Sequence, residues 1–346
     1  MKLTKSEQLY RLLAERISMG KYPVGSRFPS EYMLADEFGV NKKTANKSVD
    51  QLAAAGLLKR TAGGAGTIVI KTEIFPRGQI AFISDHHMYQ MRILYGVQRT
   101  ALEHGYATSV FFPENLDCCR LVDSFCNSSI QGVILCSHAG IIAKDCKLPH
   151  IVVDHDASME SGGSGVVNTD NYSGGQLIMD EVLRRGHRNI VIYSSARHYL
   201  DRNRRIDGML ESMSVAQIRE PRKRVFYGSH YNDQEAVSAL RKIHKYYPET
   251  TIILCDADDA ARSMLRAAKT LQIRIPEDIA ITSYGNSMEG TEILPTVEQF
   301  PEQIGSMACQ LLLQSIQDGP TQTTVRELIK PKVVYPELIP DLTRKM

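Results

Sequence analysis

The sequence predicts an α/β protein in two parts: a short N-terminal unit of three helices closed by a β-hairpin, then a long two-lobed body built on parallel sheets. Three observations predict it. Basic residues are concentrated at the start, with 11 Lys/Arg against 6 Asp/Glu over residues 1–70 and 30 against 33 over the rest, inside a formal net charge of +2. Apolar residues recur with helical spacing up to residue 57. From Ile80 onward short continuous apolar runs alternate with helical patterns, and the alternation restarts near Gly174. Strands apolar throughout and separated by helices belong to parallel sheets covered on both faces. At 346 residues and 43% hydrophobic content, the chain can fill two or three cores.

Ser6 to Met19 places Leu9, Leu13 and Ile17 at i, i+4 and i+8 and stops at Gly20, which predicts the first helix. Tyr22-Pro-Val-Gly-Ser is a turn. Pro29-Ser30-Glu31 opens a second helix with Ser30 as its cap and Met33, Leu34 and Phe38 facing inward, ended by Gly39. The third helix has Asn41 as cap and Gly56 as stop, with Ala45, Val49, Leu52 and Ala53 on one buried stripe. Two short helices joined through Gly39-Val40 make a helix-turn-helix. Leu57–Thr61 and Thr67–Ile70 flank Ala62-Gly-Gly-Ala-Gly66 and predict a hairpin. Gly63-Gly64-Ala65-Gly66 lacks the following Lys-Ser/Thr and helix of a phosphate loop, so a hairpin tip is the better reading.

The outward face of the third helix carries Lys42, Lys43, Asn46, Lys47 and Gln51, with the lysines in the first turns. A helix dipole favours cations at the opposite end, so this crowding suits an external anion such as a nucleic-acid backbone rather than the helix itself. The alternative is a solvated face. The surrounding residues decide between them. Gly20, Pro23, Gly25, Arg27, Phe28-Pro29-Ser30-Glu31, Leu34-Ala35, Gly39-Val40, Thr44, Leu52, Gly56-Leu57-Leu58 and Gly66-Thr67 together resemble the winged helix-turn-helix of GntR-type bacterial transcriptional regulators. The resemblance implies DNA binding through Arg27, Ser30, Tyr32, Asn41, Lys42, Lys43, Thr44, Asn46, Lys47, Gly64 and Gly66. The family's arginines are replaced here: Tyr32 follows Pro-Ser-Glu, Lys42 takes the first helix position, and Asn46 stands where a second arginine is usual. Lysine offers a point charge to phosphate, whereas asparagine can bond adenine bidentately, so base readout is expected to rest on Asn46.

Residues 71–79, with Pro76 and Gly78, read as a linker between a domain of residues 1–70 and a body of residues 80–340. In the body the expected order is strand Ile80–Ser84, helix Met91–His104, strand Tyr106–Phe112, helix Leu116–Phe125, and strands Gly132–Cys136 and His150–Asp154. The second set runs through helix Gly174–Arg185, strand Ile190–Tyr193, helix Ile206–Met213, a strand near Val225, helix Gln234–Tyr246, strand Thr251–Cys255, helix Ala260–Leu271 and strand Ile279–Ser283. Helix Pro301–Ile316 and a strand near Val333–Tyr335 close the chain. One lobe is expected over about 80–165 and 290–318, the other over about 166–289 and 319–340. Ser161–Gly165 is glycine-rich without the setting of a dinucleotide fingerprint and reads as a loop at a lobe crossing.

Gly132-Val-Ile-Leu135, Pro149, Asp170-Asn171 with Gly174-Gly175, Arg185-Gly-His-Arg188, Arg205-Ile-Asp-Gly208, Asp258 with Ala261, Ile275–Ile279 and Pro295–Gln299 follow the order and spacing of the LacI/GalR effector domain, related to periplasmic sugar-binding proteins. The body thus resembles that domain, and GntR-type heads on such bodies occur in arabinose-responsive repressors. The resemblance implies a periplasmic-binding-protein-like fold, a homodimer, and a small-molecule effector, a sugar or sugar derivative, held in the cleft.

Ligands of open α/β sheets bind beyond the C-terminal strand ends. Those ends carry Asp85, His86, His87 and Tyr89, then Ser137 and His138, then Asp154 and His155, and later Asp258, Tyr284 and Asn286. Arg205 and Asp258 match positions that hold effector hydroxyls or carboxylates in LacI-type proteins, and an Arg with an Asp suits a polyol. Either could instead be a structural ion-pair member. The effector-binding residues the resemblance and the strand ends imply are Asp85, His86, Tyr89, Ser137, His155, Arg205, Asp258, Tyr284 and Asn286. Where the family commonly has Gly-Phe-Asp this chain has Ser283-Tyr284-Gly285, so that sugar-gripping aspartate is absent.

The four strand-end histidines read as hydrogen-bonding residues rather than metal ligands. Seven cysteines without a CxxC pair suggest neither a disulfide framework nor a zinc site. No nucleophile elbow or zincin helix is present. No metal, cofactor or catalytic residue is therefore expected. The N-terminus has no signal-peptide core and no run is long enough to cross a membrane, which points to the cytoplasm. The expectation is a dimeric transcription regulator acting on double-stranded operator DNA, most simply a repressor. The rivals are an enzyme fused to a DNA-binding head, for example a pyridoxal-phosphate protein, and a plain solute-binding protein.

Overall fold

In the computed structural model Leu9, Leu13 and Ile17 lie fully inside the first helix's packing face, as their four-residue spacing requires. The structure describes residues 4–61, 66–72, 76–85, 88–113, 118–136, 146–155, 165–194, 200–228, 232–288, 293–319 and 325–343. The chain divides into two compact units, one formed by residues up to Gln79 with Leu102–Ala107, the other by the remainder.

In the first unit α1 (Lys5–Ser18) starts at a capping box between Thr4 and Glu7. α2 (Glu31–Glu37) and α3 (Lys42–Ala54) follow, separated by Gly39 at φ +61°, a left-handed turn that glycine adopts without strain. β1 (Arg27–Phe28), β2 (Leu58–Arg60) and β3 (Thr67–Val69) form an antiparallel sheet in the order β1-β3-β2. β1 was not expected from the sequence, because two residues carry no period. Phe28, Leu34, Ala45, Val49, Leu52, Leu57 and Val69 close the core with the α1 stripe. The Ser48 hydroxyl ties α3 to α1 by donating to the Ser6 carbonyl at 2.8 Å. Met33 corrects an expectation: its side chain is 63% exposed, because a seven-residue helix has room for one inward position and Leu34 fills it.

The body holds two parallel-stranded sheets. Its first half runs through β4 (Gly78–Ile83), α4 (Met88–Glu103), β5 (Tyr106–Phe111), α5 (Cys118–Phe125), β6 (Ile130–Cys136), β7 (His150–Val153) and β8 (Gly165–Thr169). Its second half runs through α6 (Asn171–Arg184), β9 (Ile190–Ser194), α7 (Leu200–Val215), β10 (Val225–Tyr227), α8 (Asp233–Tyr246), β11 (Ile252–Cys255), α9 (Asp258–Thr270) and β12 (Ala280–Thr282). β13 (Thr296–Glu298), α10 (Pro301–Asp318), β14 (Val325–Ile329) and β15 (Lys332–Val334) end it. One sheet has the order β14-β8-β7-β6-β4-β5, the other β10-β9-β11-β12, and β13 pairs antiparallel with β15. The second sheet is covered on both faces, by α6 and α7 on one and by α8 and α9 on the other, which is why β9, β11 and β12 are buried at every position.

The chain therefore crosses between the lobes three times, at residues 169–171, 298–301 and 329–332, and the lobe limits drawn from sequence shift accordingly. β8 and β14 belong to the first sheet although residues 166–169 and 319–330 were expected with the second lobe. Val297 packs in the second lobe's core although 290–318 was expected with the first. Helix pairs approach closely in both lobes. A Cβ on Gly96 of α4 would lie 2.1 Å from the Glu302 carbonyl oxygen of α10, and one on Gly175 of α6 would lie 2.0 Å from the Arg205 carbonyl oxygen of α7. No helix among the described residues is long and apolar enough to cross a membrane.

Candidate functional site

Two surfaces carry the chemistry. On the first unit, the buried stripe of α3 turns Lys42, Lys43 and Lys47 to solvent, and the first turn of α3 holds no acidic residue. Asn41 and Ser30 act as helix caps: Asn41 Oδ1 accepts the Thr44 N–H at 2.7 Å, and Ser30 Oγ accepts the Met33 N–H at 3.3 Å. Capping leaves the lysines on a stable helix end despite the unfavourable dipole. Tyr32 of α2 is exposed, and the Lys42 ammonium sits 3.8 Å from its ring centroid, so the ring steers that cation outward from α3. Arg27 lies along β3 beside Gly66, where a Cβ would come within 2.7 Å of its Nε; Gly66 is at φ +95°. Gly64 falls outside the described residues.

Asn46 is not isolated on this face. Its Oδ1 accepts from Arg60 Nη2 at 2.9 Å and its Nδ2 donates to Asp50 Oδ2 at 3.0 Å. The same Arg60 nitrogen pairs with Asp50 at 2.9 Å and with Glu31 at 3.3 Å. Arg60 was read only as part of a strand. Its position at the end of β2, where the hairpin passes α3, is a tertiary fact that spacing along the chain does not reveal.

On the body, Tyr89 of α4, Asp154 after β7 and Arg205 of α7 come together. Arg205 of α7 is 6% exposed, and each of its nitrogens is engaged: Nε with Asn171 Oδ1 at 2.7 Å, Nη1 with the Asp256 carbonyl at 2.9 Å, and Nη2 with Gln299 Oε1 at 2.8 Å. Its guanidinium lies 4.3 Å from the ring centroid of Tyr284, which is buried beneath it and passes close to Gly174. Three bonds use three of five donors, so two N–H groups remain for a ligand.

Facing Arg205 from the end of β7, the Asp154 carboxyl is pushed up to about 7 by burial and then by the charge of Asp201, with Arg205 and a bond from Gln90 pulling the other way. Asp154 stands at φ +50°. Burial, and then Asp154, also raise the Tyr89 hydroxyl, which is buried with no partner of hydrogen-bond geometry. Asp201 was missed, because its helix begins at Leu200, six residues before the expected Ile206. It accepts from Asn168 Nδ2 at 2.7 Å and Asn171 Nδ2 at 3.1 Å. Deeper still, Ser194 donates to Asp256 Oδ2 at 2.5 Å, while Asp256 Oδ1, buried without a hydrogen-bond partner, has the Arg202 guanidinium 3.9 Å away. Such orphaned buried groups mark a place where a ligand or water completes the bonding.

The other expected residues do not join this cluster. Asp258 accepts the Ser283 hydroxyl and the Ser287 N–H, and so braces the 283–287 loop, where a Cβ on Gly285 would meet its carboxylate at 2.7 Å. Burial raises its carboxyl. A ligand at Asp258 would have to share those bonds. Asn286 donates to Glu298 Oε2 at 2.6 Å, and its carbonyl accepts from Arg92 Nη1 at 3.2 Å. Asp258, Ser283 and Asn286 line a separate cavity of about 60 Å³ with Met288, Thr296 and Tyr335. Asp85 is exposed at the end of β4 and His155 is half-buried after β7. His86, His87, Ser137 and His138 lie outside the described residues. No group of three or more His, Cys, Asp or Glu with the geometry of a metal site occurs among the described residues.

Comparison with known proteins matches residues 5–69 to the family described as bacterial regulatory proteins, gntR family, and residues 179–336 to the periplasmic binding protein-like domain. A relative from Serratia proteamaculans described as HTH-type transcriptional repressor PurR is 26% identical over 220 residues, covering 60% of this chain and 63% of its own length. The chain thus spans less than two thirds of that relative. The repressor of the same description from Vibrio vulnificus is 24% identical over 270 residues, 67% of this chain and 77% of its own. Among solved structures, a transcriptional regulator CelR–cellobiose complex superposes with TM-score 0.65 at 19% identity, over 89% of this chain and 98% of its own. A LacI family transcriptional regulator from Enterococcus faecium with bound ribose gives 0.62 at 20% identity, over 74% and 96%. At these identities the structural likeness establishes the fold.

Proposed function

We propose that this chain, which joins a GntR-family regulatory head to a periplasmic-binding-protein-like body, is a DNA-binding transcription regulator, a repressor whose operator binding is set by a small polyhydroxylated effector. The observation that carries the reading is the α3 face: three exposed lysines and a fixed amide at the end of a capped helix, without a first-turn acid. Phosphate contacts from Lys42, Lys43 and Lys47 position the helix, and Asn46 reads a base edge. In the body, the two unused Arg205 donors, Asp154 and the Tyr89 hydroxyl form the effector floor, a mixed donor–acceptor set that suits vicinal hydroxyls. The sugars named in the two solved complexes are ligands of those proteins and support the class, not the identity.

A ligand bound between two lobes has differential affinity for the closed arrangement, which is the physical requirement for a switch. Met88, Tyr95 and Leu102 of α4 form an exposed apolar stripe at seven-residue spacing, which favours pairing of two copies. Two-fold symmetry would then match a pseudo-palindromic operator. The chain acts as a regulator rather than as an enzyme, and acting on chromosomal DNA places it in the cytoplasm. The test uses the full chain: selection from a randomised duplex library, then a thermal-shift screen of pentoses, hexoses, uronates and nucleosides. Salt-dependent binding to an enriched sequence, altered by one of those ligands, is the expected result. Duplex affinity that is the same at low and high salt sinks the proposal.

A further inference from the structure

We infer that Arg60 and Asp50 are positioning residues for base readout, holding the Asn46 amide in one orientation with one donor and one acceptor left over. The inference rests on the reading of α3 as the DNA-reading helix. An asparagine side chain can turn its amide over, exchanging oxygen and nitrogen at little intrinsic cost, and the two orientations present opposite patterns to a base. In this protein the two are far from equivalent. Asn46 Oδ1 faces the guanidinium of Arg60 and Nδ2 faces the carboxylate of Asp50, both as charge-assisted bonds of about 3 Å. Turning the amide over would set N–H groups against a cation and an oxygen against an anion.

The clamp is closed on itself, because Arg60 Nη2 also pairs with Asp50 at 2.9 Å and Glu31 at 3.3 Å. Glu31 is the least exposed member, so it anchors the guanidinium from the α2 side. Each polar atom of Asn46 has a capacity of two, one side of which is taken. What remains is one acceptor lone pair and one N–H on the outer sides of the amide, because the ring through Arg60 and Asp50 closes over the edge between them. The outward lone pair can accept from a base amine such as adenine N6–H, and guanine O6 in the same place is refused by the fixed oxygen.

The experiment uses the full-length protein and the duplex it selects from a random library. Asn46→Ala locates the base pair that Asn46 reads, and the preference among the four pairs at that position is then measured for Arg60→Met, Arg60→Lys and Asp50→Ala, each first checked for an unchanged melting temperature of the head. Beyond the uniform loss of duplex affinity that removing one positive charge brings, Arg60→Met is expected to lower the preference by on the order of tenfold. Arg60→Lys, which keeps a donor, should restore part of it. Asp50→Ala should lose discrimination as well, although removing an acid raises the attraction for DNA; a purely electrostatic role for the pair would move the two variants in opposite directions. Discrimination intact in Arg60→Met, with a loss that is equal on all sequences, overturns the inference. An Asn46→Ala protein with unaltered base preference also overturns it, whereas a wild-type chain that binds no duplex would bring down the regulator reading itself.

Discussion

Replacing Arg205 by methionine separates two roles that the cleft assigns to one side chain. Methionine keeps the length and the apolar stem, so what disappears is the guanidinium with its bonds to Asn171, the Asp256 carbonyl and Gln299. Each is a charge-assisted bond in a buried setting, worth about 1.5–3 kcal/mol, and three acceptors would be left facing apolar atoms. Against this, the desolvation cost of a buried cation is relieved, so the net loss is on the order of 3–5 kcal/mol rather than the sum. For a body of this size that corresponds to a fall in melting temperature of roughly 10 °C. The measurement is thermal unfolding of wild type and Arg205→Met without ligand, followed by DNA binding below the lower transition. Operator affinity should persist and the ligand response should vanish. A melting temperature within about 2 °C of wild type would refute the argument, since the three bonds would then contribute nothing to the folded state.

Asp154 gives the body a pH dependence with a definite sign. Its folded value of about 7 stands above its ordinary 3.8, so the folded state holds that proton more tightly, and the stability it contributes is lost as pH rises between about 4 and about 7. The difference in melting temperature between wild type and Asp154→Asn should change over that window, and parallel curves would show that Asp154 titrates normally. Gly175→Ala should destabilise the body by about 1–3 kcal/mol, because the new Cβ meets the Arg205 carbonyl oxygen and α6 must move off α7; a change under about 0.5 kcal/mol in denaturant unfolding would mean that the helices have room. Lys42→Met should weaken binding to every duplex and reduce the slope of log affinity against log salt by about one, and a loss confined to one sequence would make Lys42 a base reader instead.

Elements whose signal is local were legible in the sequence. α3 shows its cap, its stop and four inward positions within eighteen residues, and the strands at Ile80, Gly132, Ile190 and Ile252 are apolar runs bounded by turns. β8 was not legible. Val166 and Val167 follow a Ser-Gly run, and two apolar residues carry no periodicity; only the neighbours β7 and β14 make them a strand. β13 and β14 failed for the same reason, and with them the lobe limits, since a chain that crosses three times must be traced through its pairings. The site divides in the same way. Lys42, Lys43 and Lys47 were visible because they sit against the dipole of their own helix. Arg60 and Asp201 were not, because what makes them matter is the side chain opposite: Asn46 fourteen residues earlier for Arg60, Asn168 thirty-three residues earlier for Asp201.

The two networks of the body meet at one crossing. Glu298, at the end of β13, accepts from Arg92 of α4, from Asn286 of the loop after β12, and from the Phe300 N–H. Arg92 in turn reaches Glu302 of α10 at 2.7 Å, so one guanidinium holds β13 and α10 together. The next residue, Gln299, is bonded through its side chain to Arg205. Adjacent residues of extended chain point to opposite sides, so Glu298 and Gln299 address the Arg92 network and the Arg205 network from a single stretch of backbone. A ligand that draws the Arg205 guanidinium toward itself acts on Gln299 directly. Any shift of Gln299 moves the Glu298 carboxylate against three donors that belong to different elements. The connection between the proposed effector floor and the crossing is thus one peptide bond long, and its strength depends on how firmly Glu298 is held.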